Sequence, residues 1–249
     1  MDAFRLPPMK AFLLAAGHGT RLKPFTDSAP KCLLPIRGEP LLGIWLGLCR
    51  LHGIAEVLIN THAHSAAVTK FLVEHDHGLK IRISEEPTLL GSAGTLFANR
   101  EWVGTDPEFF VLYADVLTNA NLSSMAQFHR RLNQMATMGV YEVTNPTQCG
   151  IASLDDSGIV RDFVEKPQSP SSNLAFSGLL VANSKVLQFL PSASPADIGF
   201  HLLPQLVGRM VAFRMRDYLL DIGTPEKYAY AQETWPGLCT KSEALGTEE

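Results

Sequence analysis

Residues 11–35 read AFLLAAGHGTRLKPFTDSAPKCLLP, an apolar segment that runs into a loop containing glycines and cations. The first four residues predict a short buried strand. In the loop, Gly17 and Gly19 would let backbone N–H groups approach an anion, and Arg21 and Lys31 would offset its charge. Neither the Walker P-loop pattern nor the G-x-G-x-x-G dinucleotide pattern occurs here. The stretch therefore predicts a polyphosphate site of another type.

Composition and charge are those of an ordinary globular protein. The chain has 249 residues, of which 46% are hydrophobic and 18% charged, and its formal net charge is −4. Such a charge argues against a nucleic-acid surface, and no apolar run approaches the roughly 20 residues of a membrane span. The four cysteines are scattered without a C-x-x-C pair, as expected of reduced thiols. We therefore expect a cytoplasmic protein with neither a nucleic-acid nor a membrane partner.

Strand and helix patterns alternate along the first half of the chain. Apolar segments predict strands at 11–14, 57–59, 81–83 and 109–113, with helices over 40–51, 63–74 and 93–100. This repetition predicts an α/β fold, a Rossmann-like three-layer sandwich with a mostly parallel central sheet. Ligands of such sheets bind outside the carboxyl ends of the strands. The loop at 15–21 and the residues after Tyr113 are therefore expected at one crevice.

The second half has a different pattern. Strands are predicted at 140–143, 150–154 and 159–163, with turn residues between them. They indicate a small antiparallel insertion that would cover the crevice and bind a second substrate. Segments 211–216 and 218–220 are predicted to form a closing pair of strands, followed by a helix from Pro225 to Thr234.

The pattern G-x-G-T-R-L-x-P-x-T…P-K-x-L-L-P in the opening stretch resembles the signature of the sugar-1-phosphate nucleotidyltransferases. With the segments described next, the likeness extends from about Met9 to Tyr230. The resemblance implies that the loop contacts nucleotide phosphates through Ala16, Gly17, Gly19 and Thr20. A plain glycine turn with solvated cations is the competing interpretation, and the number of matched positions weighs against it.

Residues 85–95, EEPTLLGSAGT, resemble the family segment that holds the nucleobase and then opens a helix. Small residues would let a flat base lie against backbone N–H and C=O groups. The resemblance implies nucleotide-binding roles for Glu86, Pro87, Gly91, Ser92 and Gly94. A helix start of this kind is common, so the segment alone is a weak signal.

Two aspartates follow apolar runs, Asp115 in LYADVLT and Asp221 in YLLDIGTP. In the family, two such aspartates bind one Mg²⁺, a cation that typically takes one or two carboxylates plus water and substrate phosphates. A helix cap at Asp115 and a turn residue at Asp221 are the alternatives. Most relatives have glycine where this chain has Ala114, which should leave the carboxylate in place.

The tripeptide E-K-P at 165–167 matches the family's sugar-binding motif. The resemblance implies that Glu165 accepts hydrogen bonds from sugar hydroxyls and that Lys166 contacts the sugar-linked phosphate. The other sugar-binding residues that it implies are Gly150, Ser177 and Gly178. Many relatives have asparagine at Phe176, and a surface ion pair is the alternative interpretation of Glu165 and Lys166.

The resemblance implies an enzyme that transfers a nucleoside monophosphate from a nucleoside triphosphate to a sugar 1-phosphate. Its catalytic residues would be Arg21, Lys31, Asp115, Lys166 and Asp221. The segments LGSAGT and DIGTPEKY are most similar to guanylyltransferases acting on mannose or heptose 1-phosphates, which favours GTP. The segment around Phe176 resembles uridylyltransferases of the same family equally well.

Two functions of other classes compete with this one. A non-catalytic relative that binds a nucleotide sugar would be expected to lack at least one of the five catalytic residues, and all five are present. A glycosyltransferase would need a D-x-D-type metal site, which the sequence does not contain. We expect residues 1–8 to be a flexible extension and 9–235 one nucleotidyltransferase domain. Its sugar-binding part would lie at about 140–210, with a tail at 236–249; assembly into a homo-oligomer stays open.

Overall fold

The computed structural model describes residues 9–238, which divide into two compact units. Unit 1 comprises the described residues up to Pro87, Tyr113–Ser123, and those from Asp217 onward. Unit 2 comprises Thr88–Leu112 and Ser124–Arg216. The predicted extension at 1–8, Cys239 and the tail from residue 239 lie outside the described residues. The predicted domain limits at 9–235 and 140–210 stay predictions.

The strands and helices of the described residues follow in chain order. The strands are β1 (Met9–Leu14), β2 (Pro35–Ile36), β3 (Glu39–Pro40), β4 (Ile54–Thr61), β5 (Lys80–Glu85), β6 (Glu108–Tyr113), β7 (Val116–Thr118), β8 (Ala136–Glu142), β9 (Gly150–Leu154), β10 (Val160–Glu165), β11 (Leu174–Asn183), β12 (Met210–Arg214) and β13 (Leu219–Asp221). The α-helices are α1 (Leu41–Leu51), α2 (Ser65–Glu74), α3 (Ser92–Ala98), α4 (Arg100–Val103), α5 (Leu122–Leu132) and α6 (Pro225–Thr234). None of them is long and apolar enough to cross a membrane.

Unit 1 contains three neighbouring strands that run in parallel. Strands β1, β4 and β5 pair in parallel, with Phe12 opposite Leu58 and Ile59 opposite Ile83. The middles of β1 and β4 are fully buried on both faces, the pattern of strands covered by helices on each side. Helix α1 packs on β4, and its buried Trp45 donates an indole N–H hydrogen bond of 2.8 Å to the Val116 carbonyl.

Unit 2 is mostly antiparallel. Strand β11 pairs antiparallel with β6, β8 and β9, and β9 pairs antiparallel with β10. The predicted strands at 140–143, 150–154 and 159–163 are found as the end of β8, as β9 and as β10. Together with the parallel strands and helices of unit 1, these antiparallel strands confirm the predicted α/β class.

The predicted pairing of segments 211–216 and 218–220 is wrong. Strand β12 pairs in parallel with β8, with Met210 opposite Ala136. Strand β13 instead pairs antiparallel with β7, with Leu220 opposite Leu117. Both partners are distant in sequence, so the short spacing between the two segments carried no information about their pairing.

Candidate active site

The glycine loop lies between β1 and a single 3₁₀ turn at Thr20–Leu22. Gly19 has φ of +63°, and a Cβ there would be 3.0 Å from Thr26 Cγ2 and 3.2 Å from Lys31 Cβ. Its carbonyl accepts hydrogen bonds of 2.9 Å from the Leu22 N–H and from the Thr26 hydroxyl. A Cβ on Gly17 would meet no atom within 4 Å. The loop is thus tightly packed at Gly19 and open at Gly17, where an anion can approach the backbone.

Lys31 joins the two predicted metal ligands. Its ammonium lies 3.0 Å from Asp115 Oδ2 and 3.8 Å from Asp221 Oδ1, and its side chain is only 10% exposed. Asp115 precedes β7 and Asp221 ends β13; the pairing of these strands, extended by a hydrogen bond from Ile222 N–H to the Asp115 carbonyl, aligns the aspartates. One buried cation therefore reduces the repulsion between two neighbouring carboxylates.

Two further cations, Lys227 and Arg21, lie near Asp221. Lys227, on α6, has its ammonium 3.3 Å from Asp221 Oδ2. A Cβ on Gly223 would lie 3.1 Å from that oxygen and 3.2 Å from Arg21 Nη2, so glycine leaves room for both charged groups. The cluster has one more cation than it has carboxylates, which suits a polyphosphate.

The two aspartates fit a divalent metal that arrives with its substrate. Within residues 9–238, no group of three or more histidine, cysteine or acidic side chains is arranged to hold a metal ion by itself. Asp115 and Asp221 nevertheless share one counter-ion, the Lys31 ammonium, as two carboxylates would share a metal ion. Magnesium typically takes one or two carboxylates and fills its other positions with water and phosphate oxygens.

The predicted nucleobase segment is divided between the units. Glu86 and Pro87 end a part of unit 1, and the Glu86 carboxylate is buried and accepts a 2.9 Å hydrogen bond from Asn60 Nδ2. Gly91 and Gly94 belong to unit 2. Gly91 has φ of +74°, and a Cβ there would overlap the Ala196 carbonyl. That close approach explains the glycine.

The first turn of α3 is bound by the segment around Ala196. The N–H groups of Ala93 and Gly94 donate to the Ala196 carbonyl at 2.9 and 3.1 Å. The Ser92 hydroxyl donates to Asp197 Oδ2 at 2.9 Å and accepts from the Ile198 N–H at 2.7 Å. The structure thus places Ser92 in a hydrogen-bonded corner with Asp197.

Glu165 lies among glycines. It ends β10 opposite Gly150, and a Cβ on Gly150 would be 2.5 Å from its Oε2. A Cβ on Gly199 would overlap the same oxygen. Burial, and secondly the Asp197 carboxylate, raise the pKa of Glu165 above its ordinary value, while Lys166 opposes them. The carboxylate therefore lies directly against two stretches of backbone.

Lys166 is held in an unusual conformation. Its φ is +51°, in the left-handed region that side chains rarely adopt, and its N–H donates a 2.9 Å hydrogen bond to the Cys149 carbonyl. Such a conformation costs on the order of 1–3 kcal/mol and is concentrated at functional sites. Lys166 is exposed and directly follows Glu165 in the chain.

The remaining predicted sugar residues lie on β11. Ser177 is buried, its hydroxyl accepts a 3.2 Å hydrogen bond from the Leu179 N–H, and a Cβ on Gly139 would overlap that hydroxyl. Gly178, with φ of +81°, lies where the β11–β8 register shifts. Ser177 thus packs towards Gly139, whereas Glu165 packs against Gly150 and Gly199.

Sequence reasoning missed several residues of these clusters. Lys227 lies within the quoted DIGTPEKY segment, six residues after Asp221, so its helical position after Pro225 could have indicated it. Asn60, Asp197 and Gly199 carry no motif. Their roles depend on contacts with residues 26 to 105 positions away in the chain, as the bonds to Glu86 and Ser92 illustrate.

The sequence is similar to those of known nucleotidyltransferases over most of its length. The family model described as Nucleotidyl transferase matches residues 10–236. Over 226 residues the chain is 32% identical to mannose-1-phosphate guanyltransferase beta-A of Xenopus laevis, covering 88% of this chain and 62% of that protein. It is 31% identical to mannose-1-phosphate guanylyltransferase 1 of Arabidopsis thaliana, covering 88% and 63%. The chain therefore spans less than two thirds of the length of these relatives.

Solved structures share the fold at lower identity. HddC from Yersinia pseudotuberculosis superposes with a TM-score of 0.77 at 23% identity, covering 91% of this chain and 99% of that one. A putative glucose-1-phosphate thymidylyltransferase from Bacillus anthracis gives 0.80 at 22% identity, with 97% of each chain covered. The Rossmann-like fold with its mostly parallel central sheet is confirmed by these similarities.

Proposed function

Because this chain belongs to the nucleotidyl transferase family, we propose that it transfers GMP from GTP to a mannose- or heptose-like sugar 1-phosphate. The products would be a GDP-sugar and pyrophosphate. The observation that carries the proposal is the Lys31 ammonium placed between the Asp115 and Asp221 carboxylates. A fixed cation beside two carboxylates that could hold a metal ion suits the transfer of a phosphoryl group between two anions.

In the proposed reaction, a phosphate oxygen of the sugar 1-phosphate attacks the α-phosphorus of GTP in line. The new P–O bond forms as the bond to the β-phosphate oxygen breaks, and the electron pair leaves with pyrophosphate. The attacking oxygen is already anionic, so no general base is required. Catalysis then consists of positioning two anions and stabilising the charge on the transferring group.

The residues of unit 1 would act on the triphosphate. Arg21 and the backbone from Gly17 to Thr20 would bind the leaving pyrophosphate, and Lys31 would act at the α-phosphate. The contacts of Lys31 support this role, because two carboxylates fix its ammonium in one place. Mg²⁺, bound by Asp115 and Asp221, would neutralise charge on the nucleotide phosphates.

The residues of unit 2 would act on the sugar. Glu165 would accept hydrogen bonds from sugar hydroxyls, with Gly150 and Gly178 allowing close approach of the ring. Lys166 would orient the sugar phosphate, and its left-handed backbone supports a functional reason for the strain. Ser177 has the weakest support, because its hydroxyl is buried and accepts a hydrogen bond from the backbone.

The remaining assigned residues would bind the nucleotide. Glu86 and Pro87 of unit 1 would be nucleotide-binding residues, and so would Gly91, Ser92 and Gly94 of unit 2. The choice of GTP and a mannose-like sugar is supported by the similarity to the mannose-1-phosphate guanylyltransferases of Xenopus laevis and Arabidopsis thaliana. The segment from Phe176 to Gly178 favours a second candidate, a uridylyltransferase, because it resembles uridylyltransferases of the same family. The cytoplasmic location stays a prediction, as does the expectation that the protein binds neither nucleic acid nor membrane.

The test is pyrophosphate release with Mg²⁺ across a matrix of substrates. GTP, UTP, dTTP, CTP and ATP are each combined with mannose, heptose, glucose and N-acetylhexosamine 1-phosphates. Release that depends on both GTP and a mannose or heptose 1-phosphate supports the proposal. Release with UTP instead identifies the second candidate. Silence throughout, in protein that still binds a nucleotide sugar, favours a non-catalytic regulatory relative.

A further inference from the structure

Asn60, at the carboxyl end of β4, connects the two nucleotide-binding segments of unit 1. It is 4% exposed, and both ends of its carboxamide are hydrogen-bonded. Its Oδ1 accepts from the Ala15 N–H at 2.7 Å, and its Nδ2 donates to Glu86 Oε1 at 2.9 Å. Ala15 opens the glycine loop and Glu86 lies near the start of the nucleobase segment, so the Asn60 side chain is bonded to the start of both.

Strand order explains why this position can connect the two segments. Strand β4 lies between β1 and β5, with Asn60 opposite Leu14 on one side and Ser84 on the other. The glycine loop follows β1, and the nucleobase segment follows β5. A polar side chain at the end of the middle strand is therefore within reach of both segments.

Backbone and ring contacts reinforce the connection. The Glu86 N–H donates to the Thr61 carbonyl at 2.8 Å, and His62 Nδ1 lies 2.7 Å from the Glu86 carbonyl. The His62 ring also packs edge-on against His18 of the glycine loop, with centroids 5.1 Å apart. Three consecutive residues, 60–62, thus contact the two segments.

We propose that Asn60 is a positioning residue that fixes the glycine loop relative to Glu86, and so sets the affinity for a whole nucleoside triphosphate. The inference rests on the proposed function, in which the phosphates bind the loop and the base binds the segment after Glu86. Asn60 acts through Ala15 and Glu86 and touches no reacting atom. A ligand that spans both segments needs their separation fixed, whereas a ligand of one segment does not.

Four variants at Asn60 and Glu86 separate the contributions of the two hydrogen bonds. Asn60→Leu removes both hydrogen bonds at similar volume. Asn60→Asp keeps an acceptor for the Ala15 N–H but faces the Glu86 carboxylate with a second one. Asn60→Asp combined with Glu86→Gln restores a donor and an acceptor in exchanged positions, with Glu86→Gln alone as the fourth corner of the cycle.

Binding of GTP, of pyrophosphate and of GMP is measured for each variant by calorimetry. Loss of a buried hydrogen bond leaves its partner unpaired and lets the two segments shift, so we expect the GTP affinity of Asn60→Leu and Asn60→Asp to fall by about tenfold to a hundredfold. Pyrophosphate and GMP affinities should each fall less. The double variant should recover most of the GTP affinity lost in Asn60→Asp, and the KM for GTP in turnover should follow the same order.

A matched control is Thr137→Val in unit 2. Thr137 is fully buried and its hydroxyl lies 2.9 Å from His129 Nδ1, so the change removes a buried hydrogen bond without changing size. It should lower the unfolding temperature and leave GTP affinity unchanged. If the Asn60 variants behave in the same way, Asn60 is merely structural and the inference is overturned.

The outcomes also separate this inference from the proposed function. A wild-type chain that binds GTP in an Asn60-dependent manner but releases no pyrophosphate with any sugar 1-phosphate supports the inference and contradicts the function. Normal turnover in the wild type, together with unchanged GTP affinity in the Asn60 variants, supports the function and contradicts the inference. A chain that binds none of the five nucleoside triphosphates overturns both.

Discussion

The candidate residues of unit 1 and unit 2 are built on opposite principles. In unit 1, Lys31 contacts the Asp115 and Asp221 carboxylates and Lys227 contacts Asp221, so opposite charges hold these side chains in position. In unit 2, Glu165 lies against Gly150 and Gly199, and the absence of side chains creates the space. Phosphates need charge, while sugar hydroxyls need acceptors and close backbone, so the contrast matches the two proposed substrates.

The same contrast appears in the energetics. Lys31 is a buried cation whose charge is compensated by two neighbouring carboxylates, so removing a charge from this cluster should be costly. Glu165 is a half-buried carboxylate whose pKa is raised by burial and, secondly, by the Asp197 carboxylate. Charge changes should therefore dominate the effects in unit 1, and changes of size or burial those in unit 2.

The largest effect is expected when one carboxylate of unit 1 is neutralised. Asp115→Asn and Asp221→Asn should each lower kcat by about 10²–10³-fold, as for the loss of one preorganised charge. Each variant leaves Lys31 one carboxylate partner, so the chain should stay folded. Pyrophosphate release and thermal unfolding measure the two properties separately.

The control for this pair is Asp162→Asn, an exposed aspartate on β10. It should leave both kcat and the unfolding temperature near the wild-type values. Near-normal turnover in both Asp115→Asn and Asp221→Asn would contradict the proposal that these aspartates bind the metal ion. Loss of folding in either one would show instead that the cluster is needed for stability.

In unit 2 the corresponding change adds a methyl group. A Cβ on residue 199 would overlap Glu165 Oε2, so Gly199→Ala must displace the carboxylate. We expect the KM for the sugar 1-phosphate to rise by about tenfold to a hundredfold, with the KM for the nucleotide little changed. Initial rates at varied concentrations of each substrate give the two constants.

Gly43→Ala in helix α1 is the matched control, because a Cβ there would make an ordinary contact at 3.5 Å from Phe71. Alanine in a helix should leave the kinetics unchanged and slightly raise the stability. Equal effects of Gly199→Ala on both KM values would contradict the proposal that Glu165 and its neighbours bind the sugar 1-phosphate alone.

A smaller effect tests whether the unit 1 cations limit metal binding. Lys227→Met removes one ammonium from Asp221, and both side chains are substantially exposed. Exposed pairs contribute about 0.2–1 kcal/mol, so Mn²⁺ affinity without nucleotide should rise by up to about fivefold. Paramagnetic resonance of free Mn²⁺ measures it. Lys185→Met, remote in sequence and exposed, should leave it unchanged; unchanged affinity in Lys227→Met as well would contradict the idea.

The sequence predicted the parallel strands of unit 1 best. Segments such as 57–59 are apolar on both faces, and the structure extends this one to Ile54–Thr61 because backbone pairing continues past the apolar residues. The predicted helix at 93–100 is instead two helices that meet at Asn99. Periodicity located these elements, while their ends depended on hydrogen bonds that leave no apolar pattern.

The candidate site was predictable only where it has a motif. Lys31, Asp115 and Asp221 each follow a recognisable segment, and the structure brings them within one cluster. Asn60 and Gly199 act through side chains distant in sequence, and nothing in their neighbours indicates it. The partners of β12 and β13 were missed for the same reason, since strand pairing is decided by residues elsewhere in the chain.

The smallest effect concerns stability at Glu165. Its raised pKa means that the folded chain holds a proton more tightly than the unfolded chain between the ordinary value of 4.5 and the raised value. Folding therefore loses stability as the pH rises through that window, and the full penalty remains at higher pH. Glu165→Gln removes the penalty, so at pH 8 the variant should be more stable than the wild type, although it should bind the sugar 1-phosphate more weakly.

Denaturant unfolding of both proteins at several pH values from 4 to 8 measures this difference. The gain in the free energy of unfolding should grow with pH through the window and then become constant, because desolvation of the carboxylate is its main cause. Glu101→Gln, an exposed glutamate on α4, should show no such dependence. A variant less stable than the wild type at pH 8 would mean that the Glu165 carboxylate is stabilised by its surroundings, as the Lys31 cluster is. The two units would then follow one principle.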